Sequence, residues 1–475
     1  MTQTRYAQKT CAEMRINMNK LNKIKKELST TQVIALGFIA AILSGAILLF
    51  LPLSSADGQF TSFIDCLFTS ATSVCVTGLT VVSTASHWSL FGKIVILILI
   101  QLGGLGIVSI TTGVMIIIGK RITLRDRLLL EDALNLDTLS GLLKFLLRIF
   151  KGTLIIEGIG AVFYSFRFIP EYGFLRGIWY SIFHSVSAFC NAGIDLLGDT
   201  SLMKYNTDIY MNIITMSLIV LGGLGFIVWW DISSCIKKVF NKDISLRHGL
   251  IKLRLHTKIV VISTGLLIFG GALAIFLLEY TNTGTIGNMT FIQKINASLF
   301  QSVTLRTAGF MTVPQSSLRS STSLICLFLM FIGGSSISTA GGIKTTTLAV
   351  LLLSTRATIK GRSHLVVFRK TIPHKTVTKA LAVTIVSVLV LISATFLLQV
   401  VEGGALLDTA YETTSAIATV GLSRDFTSTL HFGGKLIIIL CMYLGRIGPI
   451  SMAIFFSNQK DTHICSYPHE DITVG

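Results

Sequence analysis

Four short stretches of this chain end in a glycine after a run of small and hydroxyl-bearing residues: SATSVCVTG at Gly78, HSVSAFCNAG at Gly193, QSVTLRTAG at Gly309 and TTSAIATVG at Gly421. Successive glycines lie 115, 116 and 112 residues apart, a regularity that marks an internal repeat. Glycine accepts backbone angles at which successive carbonyls face one point. Four such loops brought together form a ring of carbonyl oxygens, a coordination shell suited to a dehydrated monovalent cation. No other chemistry competes with this one. The eight cysteines contain no CxxC, and the nine histidines have no ligand spacing such as HExxH, so neither a metal site nor an enzyme is indicated. Cys75 and Cys190 share the place three before their glycines, but Arg306 and Ala418 stand there in the other units, which argues against a shared thiol function. Arg306 would repel a cation if it pointed inward, so it is expected to tie its loop to a carboxylate or to backbone carbonyls on the protein side.

The elements that must position these loops are apolar. The 475 residues are 51% hydrophobic and only 13% charged, with a mean hydropathy of +0.73, too little polar surface for a soluble globule of this size. Stretches of bilayer-crossing length fall near 33–53, 90–118, 142–168, 209–234, 257–280, 322–354, 377–401 and 432–457. That makes eight spans, the first read as a retained helix behind the leader MRINMNKLNKIKKELS. Lys and Arg gather in the leader and between spans two and three, four and five, and six and seven, which puts both termini in the cytoplasm. The net charge of +17 is spent at these orienting positions. No recognition motif accompanies it, so nucleic acid is not a partner, whereas the lipid bilayer is.

Each unit reads span, short amphipathic pore helix, glycine loop, span. An even number of crossings makes the units parallel, so the fold class is an all-α integral membrane protein of four such repeats around a pseudo-fourfold pore. The units run over 32–120, 140–238, 255–358 and 374–457, between a basic N-terminus at 1–31 and a tail at 458–475. The register extends upstream to Phe68, Phe183, Leu299 and Tyr411, and to Ser70, Ser185, Gln301 and Thr413. Downstream, a second glycine recurs at Gly103, Gly222, Gly333 and Gly445, at offsets of 25, 29, 24 and 24. The pentapeptide LGGLG occupies this place in units one and two, and Gly103, Gly106, Gly222 and Gly225 are read as close-packing residues. Lys344 and Arg446 are charges inside apolar spans, each costing about 2.5 to 3.5 kcal/mol near the bilayer centre, and Glu157 is the one acidic residue deep in a span. The third unit's second span is broken by GGSSISTAGG, which should form an irregular loop within the membrane below the glycine ring.

VTGL, NAGI, RTAGF and TVGL in register, followed by GGSSISTAGGIKTTT and LGRIGP, resemble the Ktr/Trk/HKT superfamily of potassium transporters, and within it the KtrB-type membrane subunits of bacterial Ktr systems. The match covers residues from about 32 to 457. The resemblance implies a K+ filter formed by the backbone carbonyls of Val76, Thr77, Gly78, Asn191, Ala192, Gly193, Thr307, Ala308, Gly309, Thr419, Val420 and Gly421. Each unit carries one glycine where the TVGYG of potassium channels has two, which lowers the expected discrimination among K+, Rb+ and Na+. It also implies an intramembrane gate made of Gly333, Gly334, Ser335, Ser336, Ser338, Thr339, Ala340, Gly341 and Gly342, with Lys344 and Arg446. Further implications are a homodimer in the bacterial plasma membrane, Na+ as an optional activator, no organic cofactor in this chain, and a cytosolic ring of nucleotide-binding KTN/RCK subunits of the KtrA or KtrC kind. The alternatives are a TrkH-like or Na+-permeable relative and, more remotely, a secondary transporter for a small organic solute.

Overall fold

The computed structural model of the chain describes residues 30–106, 109–110, 112, 142–198, 200–242, 245–362 and 364–448. The leader, the continuation of the second span towards 118 with the basic cluster after it, and the tail lie outside the described residues.

The described elements are almost all helical. In the first unit α1 (Thr30–Phe50), α2 (Phe63–Cys75) and α3 (Leu90–Leu105) follow in order. The second has α4 (Leu142–Tyr172), α5 (Phe174–Cys190), α6 (Ile209–Leu224) and α7 (Phe226–Phe240), followed by the short α8 (Leu246–Lys252). In the third are α9 (Leu255–Glu279), α10 (Phe291–Thr304), α11 (Ser320–Phe331) and α12 (Thr345–Ile359), followed by a hairpin of β1 (Leu365–Val367) and β2 (Lys370–Ile372). The fourth comprises α13 (His374–Glu402), α14 (Leu406–Ala418) and α15 (Phe432–Ile447).

Two kinds of helix are distinguished by what they bury. The helices before the glycine loops, α2, α5, α10 and α14, are short and buried over their last two turns. Many of their hydroxyls bond to backbone carbonyls, as in Ser73 Oγ to Thr69 O at 2.6 Å and Thr413 Oγ1 to Thr409 O at 2.9 Å, which satisfies these buried polar groups within the helix. The first helices, by contrast, stand outside with an apolar face uncovered. Leu266, Phe269, Leu273 and Leu277 on α9 and Leu389, Ile392, Phe396 and Val400 on α13 are all exposed. Contiguous apolar surface of this extent marks contact with another apolar phase, and α1, α9 and α13 are each long and apolar enough to cross a bilayer.

Outer and inner helices cross at a small residue. A Cβ on Gly45 would overlap the Ser70 hydroxyl, one on Gly160 that of Ser185, and one on Gly271 would lie 2.5 Å from Ser302 Oγ. The same hydroxyls bond carbonyls of the outer helix, Ile42 O at 2.6 Å, Glu157 O at 2.6 Å and Ile268 O at 2.7 Å. This corrects the expected register in the third unit. The counterparts of Phe68 and Ser70 there are the buried Phe300 and Ser302, one residue beyond Leu299 and Gln301, because α10 reaches its glycine in one residue fewer.

The units close on one another in chain order. Gln101 Nε2 donates to Glu157 Oε2 at 3.2 Å between units one and two, and Met311 N to Ser201 Oγ at 3.4 Å between two and three. Tyr411 Oη reaches Gln315 Oε1 at 2.9 Å between three and four. The circle is completed by Lys435 and Asp65, paired at 2.7 Å between four and one.

Candidate functional site

The glycine loops lie at the centre of this circle. In all four the residue two before the glycine has a left-handed backbone: φ is 56° at Val76, 60° at Asn191, 68° at Thr307 and 52° at Thr419. The glycines follow at 101°, 65°, 81° and 94°. Three of the four non-glycine residues are β-branched, for which this region costs of order 1–3 kcal/mol each, a strain kept where the surrounding structure over-determines the backbone. What over-determines it is a repeated clasp. Thr77 N bonds Thr72 O and Gly78 N bonds Thr72 Oγ1, both at 2.9 Å. Val420 N bonds Ser415 O at 2.8 Å and Gly421 N bonds Ser415 Oγ at 3.0 Å. Ser187 and Thr304 hold the far side of their loops instead, donating to Ile194 O at 2.6 Å and Phe310 O at 2.7 Å. These four hydroxyls were missed in the sequence, although a Ser or Thr five or six places before each glycine was a readable signal.

The loops meet one another in cyclic order. A Cβ on Gly78 would lie 2.5 Å from Ala192 O, one on Gly193 2.6 Å from Ala308 O, one on Gly309 2.6 Å from Val420 O, and one on Gly421 would overlap Thr77 O. Each glycine thus leaves room for the carbonyl of the next unit, and no larger residue fits. Eleven of the twelve loop residues are buried and Gly421 is half-buried. The hydroxyls of Thr77, Thr307 and Thr419 are buried without a hydrogen-bond partner, so oxygen donors beyond the carbonyls are unspent in the loops. The donor set is neutral oxygen throughout, which fits a monovalent cation as cargo.

Behind the loops the second helices break. The helix α3 stops at Gly106 with φ of 85°, α6 at Gly225 with 92° and α15 at Gly448 with 93°, and α6 and α7 meet at 102°. The reading of LGGLG as packing alone is therefore half corrected. Its first glycine does pack: a Cβ on Gly103 would overlap Val74 O, and one on Gly222 would overlap Phe189 O. Its last glycine ends a helix in the middle of an apolar run, which leaves carbonyls without intrahelical partners.

Those carbonyls are what the remaining candidates hold. Around α6, Trp229 Nε1 donates to Leu221 O at 2.9 Å, Thr339 N to Gly222 O at 3.3 Å and Ser335 N to Gly223 O at 2.9 Å. In return Ile337 O, from a residue at φ of 57°, accepts from Phe226 N at 2.9 Å and so caps α7. The third-unit loop is irregular from Ile332 to Lys344, pinned at its base where Ile343 N meets Phe331 O at 3.2 Å and Thr345 N meets Gly334 O at 3.1 Å. Lys344 Nζ turns back onto Ala340 O at 2.7 Å. Arg446 donates through Nη1 to Thr339 O at 2.6 Å and through Nη2 to Gly103 O, with Gly104 O at 3.4 Å. Among the described residues neither cation is paired with a carboxylate. Arg306 also takes a carbonyl, Gly333 O at 3.3 Å from Nη2. The structure thus brings together the loop from Gly333 to Gly342, Arg446 and the LGGLG carbonyls of units one and two, directly behind the glycine ring.

The family model described as TrkH, a cation transport protein, matches residues 13–464. The chain is 41% identical over 462 residues to the potassium/sodium uptake protein NtpJ of Enterococcus hirae, covering 95% of this chain and 99% of the relative. It is 40% identical over 444 residues to the Ktr system potassium uptake protein B of Bacillus subtilis, covering 94% and 96%. Its fold is similar to that of the potassium transporter TrkH from Vibrio parahaemolyticus, with a TM-score of 0.66, 20% identity, and 91% and 86% of the two chains covered.

Proposed function

Because this chain belongs to the TrkH cation transport protein family, we propose that it is the ion-translocating membrane subunit of a potassium uptake system. One observation carries the reading: four loops, each left-handed at the same two positions, face one another's carbonyls in cyclic order. The twelve loop residues are the K+ filter, and the carbonyls of Thr77, Ala192, Ala308 and Val420 are the oxygens nearest the glycines of the neighbouring units. The protein's part is to hold those oxygens at fixed spacing, so that the energy lost in stripping water from the ion is returned without rearrangement.

The eight spans, two per unit, place both termini in the cytoplasm, with the hairpin of β1 and β2 on the same side among its basic residues. The unit boundaries at 32–120, 140–238, 255–358 and 374–457 follow from that topology. Below the filter the loop from Gly333 to Gly342, Lys344 and Arg446 form the gate. A fixed positive charge on the path raises the energy of a passing cation, and its fork of donors pins the loop across it. Relatives are named as proteins of Ktr systems, which supports a chain that works with other components; on this reading those are a second copy of itself and a cytosolic nucleotide-binding ring.

The test is growth of a potassium-uptake-deficient strain at low external K+, with and without the cytosolic partner, together with Rb+ uptake into liposomes holding the purified chain. Growth rescue and Rb+ flux are expected, and neither appearing in well-folded protein would end the reading. The relative named for both potassium and sodium supports a second reading, a Na+-permeable pore, and Na+ flux equal to Rb+ flux in the same liposomes selects it.

A further inference from the structure

In units one, two and four the pore helix runs to the third residue before the glycine, Cys75, Cys190 or Ala418. In unit three α10 ends at Thr304, and the equivalent place is taken by Arg306. Arg306 is 7% exposed, its Nη2 meets Gly333 O at 3.3 Å, and its Nε has no partner. It therefore joins the back of one glycine loop to the start of the irregular loop, at Gly333, through a long bond. A small cavity lined by Arg306, Val303, Gly334, Gly223, Ile268 and Thr264 lies beside it, and the hydroxyl of Thr264 is also buried without a partner. The arrangement is not saturated. Buried donors without acceptors carry a desolvation cost, so the guanidinium is not locked in place by a full set of bonds.

The same irregular loop touches two other units from behind, at the last turn of one pore helix and at the glycine loop of the other. Thr339 Oγ1 donates to Phe189 O at 3.2 Å in unit two, and Gly341 is packed so closely on unit four that a Cβ would overlap Thr419 Oγ1 and lie 3.0 Å from Ala418 O. Thr419 is one of the four left-handed residues. Movement of the loop therefore cannot leave the ring behind it unchanged. Of these contacts only that of Arg306 is made by a charged side chain, which keeps its donors through a displacement that would break a backbone packing contact.

We propose that Arg306 is a positioning residue that couples the loop to the ring, so that ion discrimination depends on the state of the gate. By linkage the coupling is reciprocal: a change of the gate that alters ion binding in the ring must itself respond to which ion is bound. The inference rests on the reading of ring as filter and loop as gate.

The experiment is a double-mutant cycle in liposomes, reading Rb+ and Na+ influx for the wild-type chain, Arg446→Gln, Arg306→Gln and the double variant. With Arg306 present, releasing the gate by Arg446→Gln is expected to change the Rb+/Na+ ratio by about fivefold, a usual size for coupling between sites. In the Arg306→Gln background the same release should raise flux and leave the ratio unmoved. Arg306→Lys, which keeps charge without the planar fork, should show part of the coupling, and it replaces Arg306→Gln if that variant does not fold. A ratio that moves equally with and without Arg306, or that never moves while flux rises, overturns the coupling and leaves the filter and gate standing. No Rb+ influx in folded wild-type protein is the separate outcome that removes the reading beneath it.

Discussion

The strain in the ring is concentrated in single residues, and that makes it testable one position at a time. Gly193 and Gly309 hold positive φ and leave no space for a Cβ: one on Gly193 would lie 2.7 Å from the Cα of Gly309, and one on Gly309 3.1 Å from the Cα of Gly193. Replacing either by Ser displaces the carbonyls of Ala308 or Val420. Rb+ preference over Na+ should then fall by about tenfold, which is about 1.4 kcal/mol of difference between the two ions in the site. The control is Gly158→Ala, on α4 with nothing within 4 Å, which should leave the ratio alone. Unchanged ratios in both Ser variants, with protein yield normal, would remove these loops from the ion path. Arg306 illustrates what a single residue does not disclose. Its character as an unusual charge behind a loop was legible, but the sequence does not choose between a carboxylate and backbone carbonyls as its partner. That the carbonyl belongs to Gly333 depends on a loop 27 residues away folding back to it.

At the scale of the element, the broken second helix carries most of the new information. The first glycine of each LGGLG permits contact with a carbonyl in the last turn of a pore helix, and the last one stops the helix. Gly222→Ala should therefore cost about 1–3 kcal/mol by overpacking, seen as a lower melting temperature in detergent, whereas Gly265→Ala, with nothing within 4 Å, should be neutral or stabilising. Equal effects at the two positions would contradict the packing. The loop from Gly333 to Gly342 is held by backbone carbonyls freed at those breaks, and Arg446 holds it by Thr339 O. If the loop and Arg446 form the proposed gate, Arg446→Gln and a deletion within Gly334 to Thr339 release the same barrier. Each should raise basal Rb+ flux by about tenfold, equivalent to roughly 1.4 kcal/mol, and the double variant should gain no more than either alone. Lower flux in both, at normal melting temperature, would reduce Arg446 to a strut. The sequence marked the third unit's break through its run of small residues. The helix ends at Gly106 and Gly225 were hidden because a glycine in an apolar helix reads equally well as a packing residue.

For the molecule as a whole, the polar links between consecutive units, ending with Lys435 and Asp65, close the four units into one circle. No GxGxxG unit occurs in the sequence, and on the proposed reading a nucleotide signal enters through a separate cytosolic protein. Rb+ flux through the reconstituted chain should accordingly respond to ATP or ADP only after a cytosolic nucleotide-binding ring has been added. A nucleotide response from the chain alone would reveal a binding site within it.

The sequence by itself determined the apolar class, the fourfold repeat and the positions of the glycine loops, since composition and spacing are properties of the chain read in one dimension. Lys344, Arg446 and the run GGSSISTAGG were equally legible as anomalies, because a charge in an apolar span is costly and a run of small residues is a poor helix; that they form a gate is what the family resemblance implies. Contact between distant parts was decided only in three dimensions. The one-residue slip that makes Ser302 the counterpart of Ser70, the cyclic facing of Gly78, Gly193, Gly309 and Gly421 onto the next unit's carbonyls, and the capture of the LGGLG carbonyls by Thr339, Ser335 and Arg446 are all of this kind. The physical reason is that backbone carbonyls carry no sequence signature: every residue has one, and which of them is left free, and for whom, is settled by where helices stop and what packs against their ends.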